Sequence, residues 1–203
     1  MVKLHLIRHG ETQWNLAGRM QGRKNSELTP LGKEQAGQLA DTLKPGTFDQ
    51  IISSTSKRSI QTAEILAKKL NIKKISQNKA FCEINLGPWE GQFSVELEKA
   101  YPDQFYTFWN KPDTFSLEGA ETFLALQKRG VKEIHKIANE HVNKELIIIS
   151  HGAMIKSILC HFAGRLLCNL WYPPRMYNCA HSIITFTENG TGTIEKFAGQ
   201  YSW

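Results

Sequence analysis

The chain has few cysteines and no paired cysteine motif. Its 203 residues contain four, Cys82, Cys160, Cys168 and Cys179, which lie far apart. Without a C-x-x-C spacing, the sequence argues against a structural zinc site or a thioredoxin-like redox centre. A secretory segment is also missing. We therefore expect a cytoplasmic protein whose thiols are reduced and buried.

Long hydrophobic runs are absent as well. The longest apolar stretches fall well short of the about 18 residues that a membrane-spanning helix needs. We find no internal repeat and no low-complexity segment. Hydrophobic residues nevertheless make up 41% of the chain, which is enough for a core. The sequence predicts a single domain over residues 1–203 with no membrane partner.

The net charge of +6 suggests a nucleic-acid partner at first sight. However, the basic residues are scattered and interrupted by acidic ones. The short clusters Lys68-Lys69 and Lys73-Lys74 fit a solvated helix face and its exit. We therefore predict no nucleic-acid partner.

Short apolar runs alternate with amphipathic patterns. Strands are predicted at 1–7, 48–53, 73–76, 146–150, 182–187 and 193–197, and helices at 30–45, 56–70, 94–100, 103–109, 121–141 and 153–163. Thr29 and Pro30 are a typical N-cap and first helical residue. Asn189-Gly190 predicts a hairpin turn. This pattern favours a three-layer α/β/α sandwich with a mostly parallel sheet.

Residues 81–120 interrupt that alternation and are rich in aromatic side chains. Two interpretations are compatible with this pattern. The segment is a small helical insertion with its own core, and its rings are also suited to cover a binding site for a substrate with an apolar body.

Three of the predicted strands lead to basic residues. The first runs into Arg8-His9-Gly10, the second leads to Arg58, and the fourth ends at His151-Gly152. Because ligands of parallel sheets bind at the carboxyl ends of the strands, these side chains are expected to meet at one site. Two guanidinium groups and two imidazoles would suit a phosphoryl group.

The position of Arg58 supports an anion site independently. It falls in the first turn of its helix, where the helix dipole disfavours a cation. A bound anion would reverse that effect. The hydroxyls of residues 53–56 would lie at the same helix end, although they are also suited to capping alone.

His9 is the better nucleophile of the two histidines. It directly follows a strand and precedes Gly10, which would allow phosphate to approach closely. Neighbouring cations lower a histidine pKa, so Arg8, Arg58 and His151 would keep His9 neutral. The same cations would stabilise the transferring phosphoryl group. The cationic surroundings argue against a metal site.

A leaving alkoxide needs a proton, and hydrolysis of a phosphohistidine needs a base. One carboxyl group can serve both steps. The residues outside helices and strands that qualify are Glu11, Glu83, Glu90 and Glu121. The sequence pattern leaves this choice open.

Taken in order, these motifs resemble the histidine phosphatase superfamily, in its phosphoglycerate-mutase-like branch. The matching segments are Arg8-His9-Gly10-Glu11-Thr12, Trp14-Asn15, Gln21-Gly22, Leu28-Thr29, Arg58 with Gln61-Thr62-Ala63, Glu83 with Gly87, Trp89-Glu90-Gly91 and Ser150-His151-Gly152. Such an ordered set over nearly the whole chain is highly specific.

The resemblance implies a role for each matching residue. His9 would be phosphorylated, Glu83 would be the general acid and base, and three residues would hold phosphate: Arg8, Arg58 and His151. Substrate contacts would come from Asn15, Gln21, Gly22 and Gly152. Glu121 stands in a looser match, Gly119-Ala120-Glu121-Thr122, and is left out of the catalytic set. No cofactor is implied.

Three functions follow from this resemblance. The favoured one is a histidine acid-type phosphatase, a phosphomonoesterase acting on small organic phosphate esters. A phosphoglycerate-mutase-type phosphoryl transfer is the enzyme alternative, disfavoured because Ile84-Asn85 and the short insertion lack the cations that mutase relatives carry. The third is a noncatalytic phospholigand-binding module, disfavoured because every catalytic residue type is present. The oligomeric state and the physiological substrate stay open.

Overall fold

The protein folds around one mixed β-sheet. A computed structural model describes residues 1–201 of the chain. The strands are β1 (Val2–Arg8), β2 (Gln50–Ser53), β3 (Ile75–Gln77), β4 (Glu145–Ser150), β5 (His181–Phe186), β6 (Gly192–Phe197) and β7 (Gln200–Tyr201). Their spatial order is β3-β2-β4-β1-β5-β6-β7. The first four pair in parallel, and β5, β6 and β7 each pair antiparallel to the preceding neighbour. β6 thus runs with β1 to β4, which confirms a mostly parallel sheet.

Helices cover both faces of this sheet. They are α1 (Gln13–Leu16), α2 (Pro30–Thr42), α3 (Lys57–Leu70), α4 (Ser94–Ala100), α5 (Pro102–Asn110), α6 (Phe123–Glu140) and α7 (Gly152–Phe162). Apolar residues of α2 and α3 pack with Ile51 and Ile147. Those of α6 and α7 pack with Leu146 and Ile148 on the opposite face, because successive side chains of a strand alternate. The predicted three-layer sandwich is confirmed.

Local sequence signals explain several helix starts. Thr29 caps α2 by accepting the Gly32 N–H at 2.9 Å, as predicted. The short helix α1 lies outside the helices predicted from the sequence. It forms because the Thr12 hydroxyl accepts the Asn15 N–H while the Asn15 side chain accepts the Thr12 N–H. Thr12 and Asn15 thus form a capping pair that stabilises a single helical turn shortly after β1.

The insertion has an aromatic core that continues into the main body. Trp89 is fully buried, and its ring lies 5.8 Å from Phe108 and 5.6 Å from Phe115. Phe123 of α6 and Trp171, both outside the insertion, pack against Phe108 at 5.0 and 5.7 Å. The insertion is therefore fixed against the sheet-bearing part of the chain. The single domain over residues 1–203 stays a prediction, and residues 202–203 lie outside the described residues.

Within residues 1–201, none of the helices has the length and apolar character required to cross a bilayer.

Candidate active site

The carboxyl ends of three neighbouring strands bring Arg8, His9, Arg58 and His151 together, as the sequence predicted. β4 lies between β1 and β2, and Arg8 is in register with Ser150. The His9 N–H extends this ladder by donating to the Ser150 carbonyl at 3.0 Å. The rings of His9 and His151 consequently lie edge to face, with centroids 5.2 Å apart.

Arg58 lies between the two histidine rings. Its side chain belongs to the first turn of α3 and is buried. Its Nε lies 3.2 Å from Nε2 of His9 and 3.2 Å from Nδ1 of His151. Its other two nitrogens donate to the carbonyls of Gly22 at 2.8 Å and Lys24 at 2.7 Å. These contacts fix a positive group beside the ring nitrogen that would attack phosphorus.

The hydrogen bonds define the tautomers of both rings. Nδ1 of His9 lies 2.8 Å from the Gly10 carbonyl, which can only accept, so Nδ1 carries the proton and Nε2 presents a lone pair. His151 has the opposite tautomer, because its Nδ1 accepts from Arg58 and its Nε2 donates to the Ser54 hydroxyl at 2.8 Å. Ser54 thus orients His151 and does not cap α3. Both rings are neutral in this arrangement.

Burial and charge act in the same direction on these groups. The pKa of His9 lies well below 6.5, first because the ring is desolvated and then because Arg58 and Arg8 are close. Desolvation, Arg58 and His9 likewise hold the pKa of His151 well below 6.5. Burial lowers the pKa of Arg58 only to about 10. Arg58 therefore stays charged at neutral pH while the nucleophile stays neutral.

Arg8 offers a donor with no partner. Its Nη1 donates to the Met176 carbonyl at 2.5 Å, but its buried Nε has no hydrogen-bond partner among the described residues. Gly152, the first residue of α7, lies directly beside that Nε, since a Cβ at this position would be 3.5 Å away. An unpaired buried donor costs about 1–3 kcal/mol unless a ligand satisfies it. The pair is suited to an anion.

Glu83 is the only candidate carboxylate that lines the same cavity as His9. Its Oε1 accepts the N–H groups of Ile84 and Met154, each at 3.0 Å, and its Oε2 accepts that of Ala153 at 3.1 Å. The carboxylate thus caps the N-terminus of α7, where His151 provides no side-chain cap. This contact leaves the Gly152 N–H as the free donor of the first turn.

The other three carboxylates have structural partners. Glu11 accepts the Thr29 hydroxyl at 2.7 Å and so holds the start of α2. Glu90 is buried and accepts two backbone N–H groups. Glu121 forms an ion pair with Arg129 at 2.7 Å. Of the four carboxylates that the sequence left open, only Glu83 therefore lies at the cavity.

The residues expected to contact substrate all line the cavity. Asn15 uses its Oδ1 in the α1 cap, and its Nδ2 makes no hydrogen bond to any residue within residues 1–201. Gln21 donates to the Thr12 hydroxyl at 2.8 Å, while its buried Oε1 is unpaired. Gly22 has φ +53°, and a Cβ there would overlap the Glu90 carboxylate. These contacts provide one donor and one acceptor for a substrate.

Gly10 has a packing role that the sequence did not predict. Its expected role in the close approach of phosphate stays a prediction. In the structure, a Cβ at position 10 would overlap the carbonyl oxygen of Gly32. The missing side chain therefore allows the loop after β1 to pack against α2, and this contact fixes His9 indirectly.

The cavity has a volume of about 560 Å³. Its lining comprises Arg8, His9, Asn15, Arg19, Met20, Gln21, Gly22, Arg58, Glu83, Ile84, Leu86, Phe108, Trp109, Gly152, Ala153, Lys156, Trp171, Arg175, Met176 and Tyr177. Trp109, Trp171 and Met176 give part of this lining an apolar character. Tyr172 is exposed and does not line the cavity.

Sequence analysis missed three cations of the cavity: Arg19, Lys156 and Arg175. Lys156 had a usable signal, because it is a charged residue within the apolar run of α7 and is buried. Its Nζ donates to the carbonyls of Tyr172 at 2.5 Å and Pro174 at 3.0 Å. Burial lowers its pKa to about 8. Arg19 and Arg175 reach the cavity from loops, and loops have no periodic sequence pattern that would predict where their side chains lie.

Across residues 1–201, no group of three or more His, Cys, Asp or Glu side chains is arranged to hold a metal ion. The four cysteines are all free thiols.

Comparison with known proteins identifies the chain's relatives. A family profile described as "Histidine phosphatase superfamily (branch 1)" matches residues 4–198. The chain is 32% identical over 171 residues to Phosphoserine phosphatase 1 of Hydrogenobacter thermophilus, covering 84% of this chain and 81% of that protein. These matches extend over most of both sequences.

Solved structures show the same similarity in three dimensions. Bacillus stearothermophilus YhfR superimposes with a TM-score of 0.94 at 34% identity, covering 98% of each chain. Phosphoserine phosphatase of Entamoeba histolytica, in complex with phosphoserine, superimposes with a TM-score of 0.84 at 30% identity and covers 98% of this chain and 97% of that one.

Proposed function

Because the chain belongs to the histidine phosphatase superfamily, branch 1, and hydrolyses phosphomonoesters through a phosphohistidine, we propose that His9 carries the phosphoryl group. The observation that carries this assignment is the lone pair on Nε2, which faces Arg58 at 3.2 Å in a buried ring held neutral. Arg8, Arg58 and His151 form the phosphate pocket around it. This set supports the narrower assignment of a histidine acid-type phosphatase.

The first step transfers the phosphoryl group to the enzyme. Nε2 of His9 attacks phosphorus, the N–P bond forms, and the bond from phosphorus to the ester oxygen breaks. Arg58, the Nε of Arg8 and the Gly152 N–H stabilise the charge on the equatorial oxygens. Glu83 gives its proton to the leaving alkoxide, so the product alcohol leaves neutral.

The second step returns the enzyme to its initial state. The Glu83 carboxylate takes a proton from water, the water oxygen bonds to phosphorus, and the N–P bond breaks. Inorganic phosphate leaves, and His9 is again neutral with its lone pair on Nε2. The sum of both steps is ester plus water giving alcohol plus phosphate, so no redox partner or cofactor is needed.

The position of Glu83 explains how one carboxyl group serves both steps. It shares the N-terminus of α7 with the site proposed for phosphate. Once the alcohol has left, the carboxylate is again held by the backbone N–H groups and is ready to deprotonate water.

The substrates are small organic phosphate esters. The cations converge on a cavity and not on an extended surface, which supports a small molecule and argues against nucleic acid. Phosphoserine is a natural first substrate to assay, because several relatives are phosphoserine phosphatases. The free thiols support a reducing compartment and therefore a cytoplasmic location.

Mutase activity is the alternative. Sequence analysis disfavoured it because the insertion lacks cations, and the insertion residues at the cavity include the uncharged Phe108 and Trp109. Other elements nevertheless supply cations to the outer cavity, so that argument alone is weak. Addition of 2,3-bisphosphoglycerate discriminates the two: a phosphatase releases phosphate without it, whereas a mutase moves phosphate between glycerate positions without release.

The test of this function compares the wild type with His9→Ala. We expect the wild type to hydrolyse p-nitrophenyl phosphate and the variant, folded by circular dichroism, to lose turnover. His161→Ala is the control, because this histidine is on the far end of α7 and does not line the cavity. Hydrolysis by His9→Ala at the wild-type rate would contradict the assignment.

A further inference from the structure

The outer half of the cavity contains three cations, and only one of them lacks a partner. Arg19 stacks on the Phe93 ring at 3.8 Å and donates to the Gly91 carbonyl at 2.7 Å. Lys156 donates to two backbone carbonyls. Arg175 is exposed, lines the cavity, and makes no hydrogen bond or ion pair with any residue of the described chain. Its guanidinium is therefore available to a ligand.

The segment that carries Arg175 is held in place on both sides. Lys156 binds the carbonyls of Tyr172 and Pro174, and Arg8 binds the carbonyl of Met176 at 2.5 Å. Met176, whose carbonyl binds Arg8 of the phosphate pocket, is the next residue along the chain. Since consecutive Cα atoms are about 3.8 Å apart, the backbone of Arg175 lies close to this pocket. A short molecule whose phosphate lies at Arg8 has its other end within reach of Arg175.

The charge of the cavity restricts what that other end can be. Its charged lining consists of five cations, Arg8, Arg19, Arg58, Lys156 and Arg175, and one carboxylate, Glu83. Both oxygens of Glu83 are already bonded to backbone N–H groups. The guanidinium of Arg175 is available to a second anion on the substrate. A guanidinium can donate two parallel hydrogen bonds to a carboxylate. An ammonium group finds no anionic partner and is repelled by the cations.

We propose that Arg175 forms a carboxylate subsite, and that this enzyme prefers phosphate esters of short hydroxy acids over those that carry an ammonium group. The inference rests on the proposed function, since it concerns the same cavity. It assigns the specificity to one exposed side chain on a segment held by Lys156 and Arg8.

Four substrates distinguish the effect of a carboxylate from that of an ammonium group. 3-Phosphoglycerate carries the carboxylate alone, O-phosphoserine carries carboxylate and ammonium, glycerol 3-phosphate carries neither, and phosphoethanolamine carries the ammonium alone. We expect kcat/KM to be about tenfold higher with the carboxylate than without it, as for a partly exposed charged hydrogen bond. We expect kcat/KM to be lower for O-phosphoserine than for 3-phosphoglycerate, and lower for phosphoethanolamine than for glycerol 3-phosphate.

Variants of Arg175 then test the assignment. In Arg175→Gln, the ratio of kcat/KM for 3-phosphoglycerate to that for glycerol 3-phosphate should fall to nearly one, mainly through a higher KM. Arg175→Lys should keep part of the ratio, because it retains the charge without the paired donors. Lys132→Gln is the control, since Lys132 is exposed on α6 and does not line the cavity.

The possible outcomes are distinct. A wild-type ratio near one, or a ratio that Arg175→Gln leaves unchanged, overturns the carboxylate subsite while the phosphatase function stands. An enzyme that prefers phosphoserine to 3-phosphoglycerate overturns the discrimination against ammonium. Failure to hydrolyse any of the four esters and p-nitrophenyl phosphate contradicts the proposed function itself.

Discussion

Replacing Arg58 by glutamine should slow the reaction and also change its pH dependence. The guanidinium lies 3.2 Å from Nε2 of His9 and is buried. Two unit charges about 4 Å apart interact by about 4 kcal/mol at an effective dielectric constant near 20, which is an upper bound for this pair. Water that enters the site in the variant also reduces the desolvation of His9. Both changes raise the pKa of His9.

The direction of this change in the His9 pKa determines how the pH profile should shift. His9 attacks only when it is neutral, so kcat/KM falls as the pH drops through the pKa of His9 in the free enzyme. In the wild type this acid limb should lie below pH 6.5, because the pKa of His9 is well below that value. In Arg58→Gln it should move to higher pH. The rate at the optimum should fall about 100-fold or more, as on loss of a transition-state donor.

The measurement is the pH profile of kcat/KM for p-nitrophenyl phosphate between about pH 4 and 8. Substrate ionisation cancels when the variant is compared with the wild type. Lys57→Gln is the matched control, since this neighbouring cation of α3 pairs with Glu27 on the surface. If the acid limb of Arg58→Gln coincides with that of the wild type, Arg58 does not set the protonation of His9 and the reasoning fails.

Three further predictions concern Glu83 as the general acid, the packing of the loop after β1, and the stability of the protein at low pH. Glu83→Gln should slow the hydrolysis of alkyl phosphates far more than that of p-nitrophenyl phosphate, because only the alkoxide needs a proton; equal losses would point to another acid. Gly10→Ala should lower the free energy of unfolding by about 1–3 kcal/mol through its overlap with Gly32, whereas Gly37→Ala in α2, where a Cβ would make only an ordinary contact with the Lys69 side chain at 3.6 Å, should raise it slightly; urea unfolding of the two variants tests this, and equal midpoints would contradict it. Burial lowers the pKa of His181 from 6.5 to about 3, so the unfolded chain binds more protons below pH 6.5 and stability falls there. At pH 5 this group costs about 2 kcal/mol, and His181→Gln should reduce the difference in unfolding free energy between pH 7.5 and 5 by that amount; an unchanged difference would show that another group titrates.

The phosphate pocket could be predicted from the sequence because its geometry follows from topology. Arg8 ends a strand, His9 and His151 each follow one, and Arg58 lies in the first turn of the helix after another. Parallel strands that are neighbours end at the same edge of the sheet. The positions of these residues along the chain were therefore sufficient to bring them together, without knowledge of any side-chain packing.

The outer cavity could not be predicted in this way. Arg19 and Arg175 lie on loops whose course depends on distant contacts, such as those of Lys156 with the backbone at residues 172 and 174. The packing role of Gly10 could not be predicted for a similar reason, since its neighbour Gly32 belongs to α2, about 20 residues further along the chain. A local pattern identifies a glycine or a cation, but only the tertiary fold shows what each one contacts.

The most direct test of the account is to trap the enzyme during turnover. The wild type is mixed with substrate labelled in the phosphoryl group, quenched in base within the first turnover, and digested to locate the label. We predict a base-stable, acid-labile adduct on the imidazole of His9, which accumulates in Glu83→Gln when the leaving group is p-nitrophenolate. A label on a different side chain, or turnover without any labelled protein, would contradict it.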